Sequence, residues 1–255
     1  MHNLLSETTH RPWPPPAGTW IMEQTWKDLL FAHWAYPVAD VRAVVPEQLQ
    51  LDTFDGMAWV GVVPFMLEDL KARGLPPLPV ASSFPELNVR TYVTLGGKPG
   101  VYFFSLDAAS KLAVMGARKL FHLNYFHADM SMAPTPTGFE YTSQRMDTRA
   151  QPARFRAHYK SAGEVSVPQP GTLDHFLTER YCLYAVSRTG ATYRLEIHHR
   201  PWLLQPAEAE LDARSMIAAA GLGPARGAPL LHFSSLQPMI GWPPERVVPT
   251  EKRVS

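Results

Sequence analysis

The chain has 255 residues, 45% of them hydrophobic, and a formal net charge of +1. That is enough to bury a substantial core, and it leaves neither the basic excess of a nucleic-acid binder nor an acidic tail. The one cysteine, Cys182, excludes an internal disulfide and any CxxC metal or redox motif, which fits a reducing cytoplasm.

Residues 1–20 contain Pro14, Pro15 and Pro16 and read as an extended proline-rich arm, without the apolar core of a signal peptide. No stretch reaches the ~18 uninterrupted apolar residues of a membrane helix, so a cytoplasmic protein without a membrane partner is expected. Residues 21–255 show no break in composition and read as a single domain. Within it, Ile21–Ala35 reads as a strand or a short helix, and Val38–Val45 as a short helix ended by Pro46. Leu49–Thr53 leads into a turn at Asp55-Gly56, a hairpin signal, and Met57–Phe65 follows as a strand. Residues Gly74–Pro79 read as an irregular loop.

The stretch Phe84–Ala108 alternates, turns at a glycine cluster, and alternates again. One face of its first strand carries Glu86, Asn88, Arg90 and Tyr92; the other carries Leu87, Val89, Thr91 and Val93. The polar row either faces water or lines a pocket in which Arg90 grips a carboxylate and Glu86 acts as an acid or base. The hairpin register bears on this choice. A loop at Gly97–Gly100 would set Asp107 opposite Arg90 and Ser105 opposite Tyr92, a self-paired network. The other parity would put Phe104 and Leu106 on the polar row and make an amphipathic pocket.

Ser110–Met130 brings Lys111, Arg118, Lys119, His122, Tyr125 and His127. The five-residue spacing of the two histidines matches neither a helix turn nor a strand face, so no metal and no cofactor are expected. Further strands are expected at Gly138–Met146, Ala153–Lys160, Thr192–Arg200 and Leu230–Ser235. Thr172–Val186 reads as a helix whose second half could equally be strand, and Ala207–Ala220 reads as a helix. His198 and His199 point to opposite faces of their strand. Cys182 lies in an apolar run and reads as a packed thiol. The sum is a β-rich α+β domain, with antiparallel strands closed into a barrel or packed as a sandwich and a few peripheral helices. Exposed tryptophans at Trp202 or Trp242 are the candidate marks of a partner surface, and a second subunit is compatible with such a fold.

The run from Asp28 to Leu67, then "FPELNVRTYV", "PGVYFFSLDA" and "GARKLFHLNYFHADM", resembles the domain-of-unknown-function 2071 (YqjF-like) family over roughly Trp26 to Leu204. That family is thought to be similar to the acetoacetate decarboxylase superfamily. The resemblance implies a closed, conical antiparallel β-barrel with an interior pocket, and it favours Glu86, Asn88 or Arg90 as pocket lining. It also implies where a Schiff-base lysine would stand. Anchored on Arg118, the lysine pair of the decarboxylases falls on Tyr125 and Phe126, and a phenol cannot form an imine. The expected ligand is a small polar molecule or carboxylate bound through Glu86, Asn88, Arg90, Tyr92, Arg118 and Tyr125. The alternative is an enzyme acting on a keto acid, with a lysine out of register or with Glu86 and Tyr125 as acid–base groups.

Overall fold

The computed structural model describes residues 4–77 and 81–248. The start of the expected arm and the end of the expected Gly74–Pro79 loop, Leu78 and Pro79, lie outside the described residues. The elements are β1 (Met22–Tyr36), α1 (Val38–Arg42), β2 (Gln50–Leu51), β3 (Ala58–Ala72), β4 (Phe84–Leu95), β5 (Lys98–Ala108), α2 (Lys111–Phe121), β6 (Tyr125–Thr135), β7 (Gly138–Arg145), β8 (Arg154–Ser161), α3 (Leu173–Thr178), β9 (Cys182–Val186), β10 (Thr192–His199), β11 (Gln205–Asp212), α4 (Arg214–Ala219), β12 (Leu230–Gly241) and β13 (Glu245–Val247). No helix among the described residues is long and apolar enough to cross a membrane.

The strands form one sheet that closes on itself twice. A ring of nine runs β5-β6-β7-β8-β11-β12-β1-β3-β4 and back to β5. A smaller ring of seven runs β10-β9-β5-β4-β3-β1-β12 and returns to β10. Strands β12, β1, β3, β4 and β5 are common to both rings. Most pairings are antiparallel, as expected, but β5 pairs in parallel with β6 and with β9. Parallel neighbours need a crossover connection, and α2 supplies the one between β5 and β6.

The shared wall has a different task on each face. On β4, Leu87, Val89 and Val93 join the large apolar cluster that fills the ring of nine, together with Leu30, Ala32, Val60, Val62, Tyr141, Tyr159 and Phe233. The opposite face of β4 looks into the ring of seven. Glu86 is 4% exposed and Asn88 5%, so the solvated reading of this row does not hold. Pattern alone left the choice open because a strand with one apolar and one polar face usually has water on the polar side, whereas here a second ring covers it.

The hairpin turn is Gly96-Gly97, both at positive φ, so strand β5 starts at Lys98 and not after Gly100. Asn88 pairs with Leu106 and Glu86 with Ala108. A register shift after Val89 then pairs Arg90 with Phe103 and Tyr92 with Val101. The register of the self-paired network is therefore excluded, and the polar row faces apolar partners. Asp107 lies opposite Leu87 and forms an ion pair with Arg145 at 2.8 Å.

Other elements also depart from pattern. Ala207–Ala220 is not one helix. Gln205–Asp212 is a strand with alternating burial, paired with β8, and only Arg214–Ala219 is helical. The good helix formers Ala and Glu are overridden by a free sheet edge that needs pairing. Thr172–Val186 divides into α3 and β9, and Leu230 opens a strand that continues to Gly241. In the N-terminal arm, Arg11 donates to the carbonyl of Ile197 at 2.6 Å and pairs with Glu196 at 3.2 Å.

Closure of the smaller ring requires β9 to approach β5, where Val101 pairs with Leu183. Gly100 permits this, since a Cβ there would stand 2.8 Å from the carbonyl oxygen of Cys182. Gly100→Ala is expected to lower unfolding stability by about 1–3 kcal/mol, because the obstruction includes backbone. A lower denaturation midpoint at an unchanged m-value is the check, and an unchanged midpoint would mean that β9 is free to shift away.

Candidate functional site

The ring of seven encloses a cavity of about 660 Å³. All seven strands contribute to its lining, and α2 lies along it with Leu112, Ala113, Gly116, Ala117 and Leu120. Two aspartates at positive φ, Asp28 (φ 50°) and Asp69 (φ 56°), help to arrange the wall. The alternation of β1 shifts at Asp28, so Gln24 and Trp26 line the cavity before it and Leu29 after it. Likewise β3 shows Phe65 and Leu67 before Asp69 and Leu70 after it. Aspartate tolerates this left-handed backbone better than most side chains.

Most of the lining is apolar. Trp26 and Trp202 stack at 5.7 Å with an interplanar angle of 7°. Trp202 and Trp242 are 3% and 4% exposed and both line the cavity, so they do not mark an external partner surface. The chain's bends carry them inward, and no local pattern signalled it.

Four of the six candidate site residues line the cavity: Glu86, Asn88, Arg90 and Tyr125. The Tyr125 hydroxyl donates to Glu86 Oε2 at 3.1 Å, and the Tyr141 hydroxyl donates to the Glu86 backbone carbonyl at 2.8 Å. Burial pushes the Glu86 carboxyl up to about 8, against the smaller opposing effect of the Tyr125 hydrogen bond. Glu86 is therefore a neutral acid at pH 7. Burial and the neighbouring Glu86 hold Tyr125 well above the usual phenol range, so it stays a donor.

Arg90 donates to the carbonyl of Leu177 at 3.1 Å and lies over the rings of Phe31 at 5.0 Å and Tyr92 at 5.7 Å. It has no carboxylate partner among the described residues. The other cationic side chains of the lining are paired: Arg180 with Asp52 at 2.5 Å, and Lys71 with Glu23 at 2.6 Å. Three buried polar atoms of the lining also lack a hydrogen-bond partner in the protein: Asn88 Oδ1, Arg90 Nε and Trp202 Nε1. Such orphaned groups are rare and ask for a reason.

The remaining two candidates lie elsewhere. Tyr92 is fully buried outside the lining, between the wall and α3, with its hydroxyl donating to the Leu177 carbonyl at 2.7 Å and 2.7 Å from His33 Nε2. Arg118 pairs with Asp147 at 2.8 Å and lies over the ring of Phe126 at 5.4 Å. The sequence reading assigned no element to this segment; residues 111–121 form a helix, and Arg118 does not line the cavity. The same helix leaves Lys111 and Lys119 exposed and outside the lining. Cys182 is buried, and desolvation raises its thiol to about 12, which suits packing and not nucleophilic attack. Sequence reasoning missed Trp26, Arg180 and His199 as lining residues, because they come together only when the ring closes.

Comparison with known proteins agrees with this architecture. The enduracididine biosynthesis enzyme MppR, solved in complex with pyruvate, superposes with a TM-score of 0.62 at 10% identity, covering 94% of each chain. An acetoacetate decarboxylase-like enzyme from Sphingomonas wittichii RW1 gives 0.59 at 15% identity, covering 95% of this chain and 99% of the other. Acetoacetate decarboxylase from Legionella pneumophila gives 0.58 at 11% identity, covering 97% and 96%. At such identities the likeness shows the fold alone. In sequence, the chain is 49% identical over 228 residues to the uncharacterized protein YqjF of Bacillus subtilis (strain 168), covering 89% of this chain and 93% of that protein. The model of the domain-of-unknown-function 2071 family, described as an uncharacterized conserved protein, matches residues 23–238, and the chain belongs to that family.

Proposed function

We propose that the protein binds a small carboxylic acid with an apolar body in the cavity of the smaller ring, without Schiff-base chemistry. The observation that carries this reading is Arg90, a guanidinium facing an apolar cavity with no carboxylate partner among the described residues. An unpaired charge in such surroundings is unfavourable, and a ligand carboxylate would complete it. Asn88 and Trp202 offer further unpartnered polar atoms along the same lining. Glu86, being neutral at pH 7, does not compete for Arg90. The apolar walls suit a hydrocarbon or aromatic body. The resemblance to the decarboxylases sets Tyr125 and Phe126, not lysines, where the lysine pair would fall, and the lysine that does line the cavity, Lys71, is held by Glu23.

A second reading, an enzyme acting on a keto acid, draws on the Glu86–Tyr125 hydrogen bond. A carboxyl that titrates near pH 8 can donate a proton to the carbonyl oxygen of a bound keto acid at neutral pH. Turnover of pyruvate or acetoacetate, followed by proton NMR and lost in Glu86→Gln, would favour this reading over simple binding.

For the binding reading, octanoate and 4-phenylbutyrate should raise the melting temperature, and the corresponding primary amides should not. Arg90→Ala should weaken carboxylate binding by about tenfold or more, as for loss of a charge-assisted hydrogen bond. Equal binding by Arg90→Ala would remove Arg90 from the site.

The pH dependence follows from Glu86. As pH rises through about 8 its carboxyl ionises, and carboxylate affinity should fall; in Glu86→Gln, titration calorimetry should find that dependence gone. The folded-state value lies above the ordinary 4.5, so the folded protein holds this proton more tightly than the unfolded chain. Stability from Glu86 is thus complete at low pH and lost as pH rises through about 8. The melting-temperature difference between Glu86→Gln and the parent should widen over that range and level off above it. A constant difference would mean that Glu86 is ionised throughout.

A further inference from the structure

We infer that the rim of the cavity, formed by α2 and the segment around Leu75, docks on an anionic lipid surface. Leu75, Leu112 and Leu120 are 62%, 58% and 64% exposed, yet all three also line the cavity, so they stand where it meets solvent. Met115, 56% exposed, adds to the same helix without lining the cavity. Large apolar side chains this exposed and this close together mark an interaction surface. The charge beside them selects the partner. Helix α2 carries Lys111, Arg118 and Lys119 and no acidic residue, and the chain has none between Asp107 and Asp129. Arg118 is paired with Asp147, whereas Lys111 and Lys119 are exposed and have no ion pair among the described residues.

Leucines flanked by free lysines on one short helix match a bilayer with anionic headgroups: the apolar side chains enter the acyl boundary and the ammonium groups stay among the phosphates. A second copy of the chain fits less well, because a two-fold contact through α2 would set lysines against lysines. That no helix among the described residues is long and apolar enough to cross a membrane does not bear on surface docking. The inference does not depend on which ligand the cavity takes, although an opening at the bilayer would let an apolar acid pass from lipid to cavity without crossing water.

The test is flotation of the full chain with phosphatidylcholine vesicles and with vesicles that also contain phosphatidylglycerol. Expected is binding to the anionic vesicles only, weakened by added salt. Lys119→Glu should reduce it about fivefold or more, consistent with the contribution of one basic residue near such a surface. Met115→Glu should also reduce it, while carboxylate binding in solution stays as in the parent, since Met115 does not line the cavity. No flotation with anionic vesicles would overturn the inference. So would flotation unaffected by Met115→Glu, which would be adsorption by charge alone. Sedimentation as a dimer that Met115→Glu dissociates would assign the surface to a second copy instead. In each case the octanoate titration reads the cavity separately.

Discussion

Because β4 is buried on both faces, every polar side chain on it has to find its partner inside the protein. This constraint organises much of the site. Glu86 meets it by staying protonated and taking the Tyr125 hydroxyl. Tyr92 meets it through the carbonyl of Leu177 and the ring of His33. Arg90 meets it only in part, with one bond to the same carbonyl and two aromatic faces, and Asn88 leaves its amide oxygen without a donor. The two residues left incomplete are adjacent on the row that faces the cavity. A buried polar group that a fold does not satisfy destabilises it, so these two residues are a cost that the wall itself does not repay.

The two-sided wall also explains what could and could not be read from the sequence. The period-2 alternation of Phe84–Leu95 was legible, and so was the turn, since Gly96 and Gly97 adopt the positive φ that a tight hairpin needs. Which side of the strand met water was not legible, because a strand covered by two rings has the same local pattern as one with a wet face. The register was open for a similar reason: the shift after Val89 moves β5 by one residue, and nothing in "VYFFSLDA" announces it. Family resemblance, not periodicity, tipped the polar row towards the inside.

Other misreadings have equally local causes. Gln205–Asp212 has helical composition, and only the unpaired edge of β8 makes it a strand. The signals for α2 were present: Ser110 accepts a hydrogen bond from the Ala113 amide as an N-cap, and His122 closes the helix at φ 55°. Asp28 and Asp69 are ordinary strand residues in sequence, yet their left-handed backbone accompanies the shift of parity that turns Leu29 and Leu70 into the cavity.

The sharing of five strands between two rings separates two kinds of variation. The ring of nine is filled by interlocking side chains, where adding or removing a methyl group is felt at once. The ring of seven is hollow, so exchanging a side chain on its inner face leaves the packing on the far side of the same strand untouched. Neighbouring residues of β4 are therefore under unlike constraints: Leu87 and Val89 pack in the core, while Asn88 faces the cavity. A wall built this way lets the chemistry of the hollow drift over a fixed frame, since a change on its inner face leaves the packed side of the same strands in place.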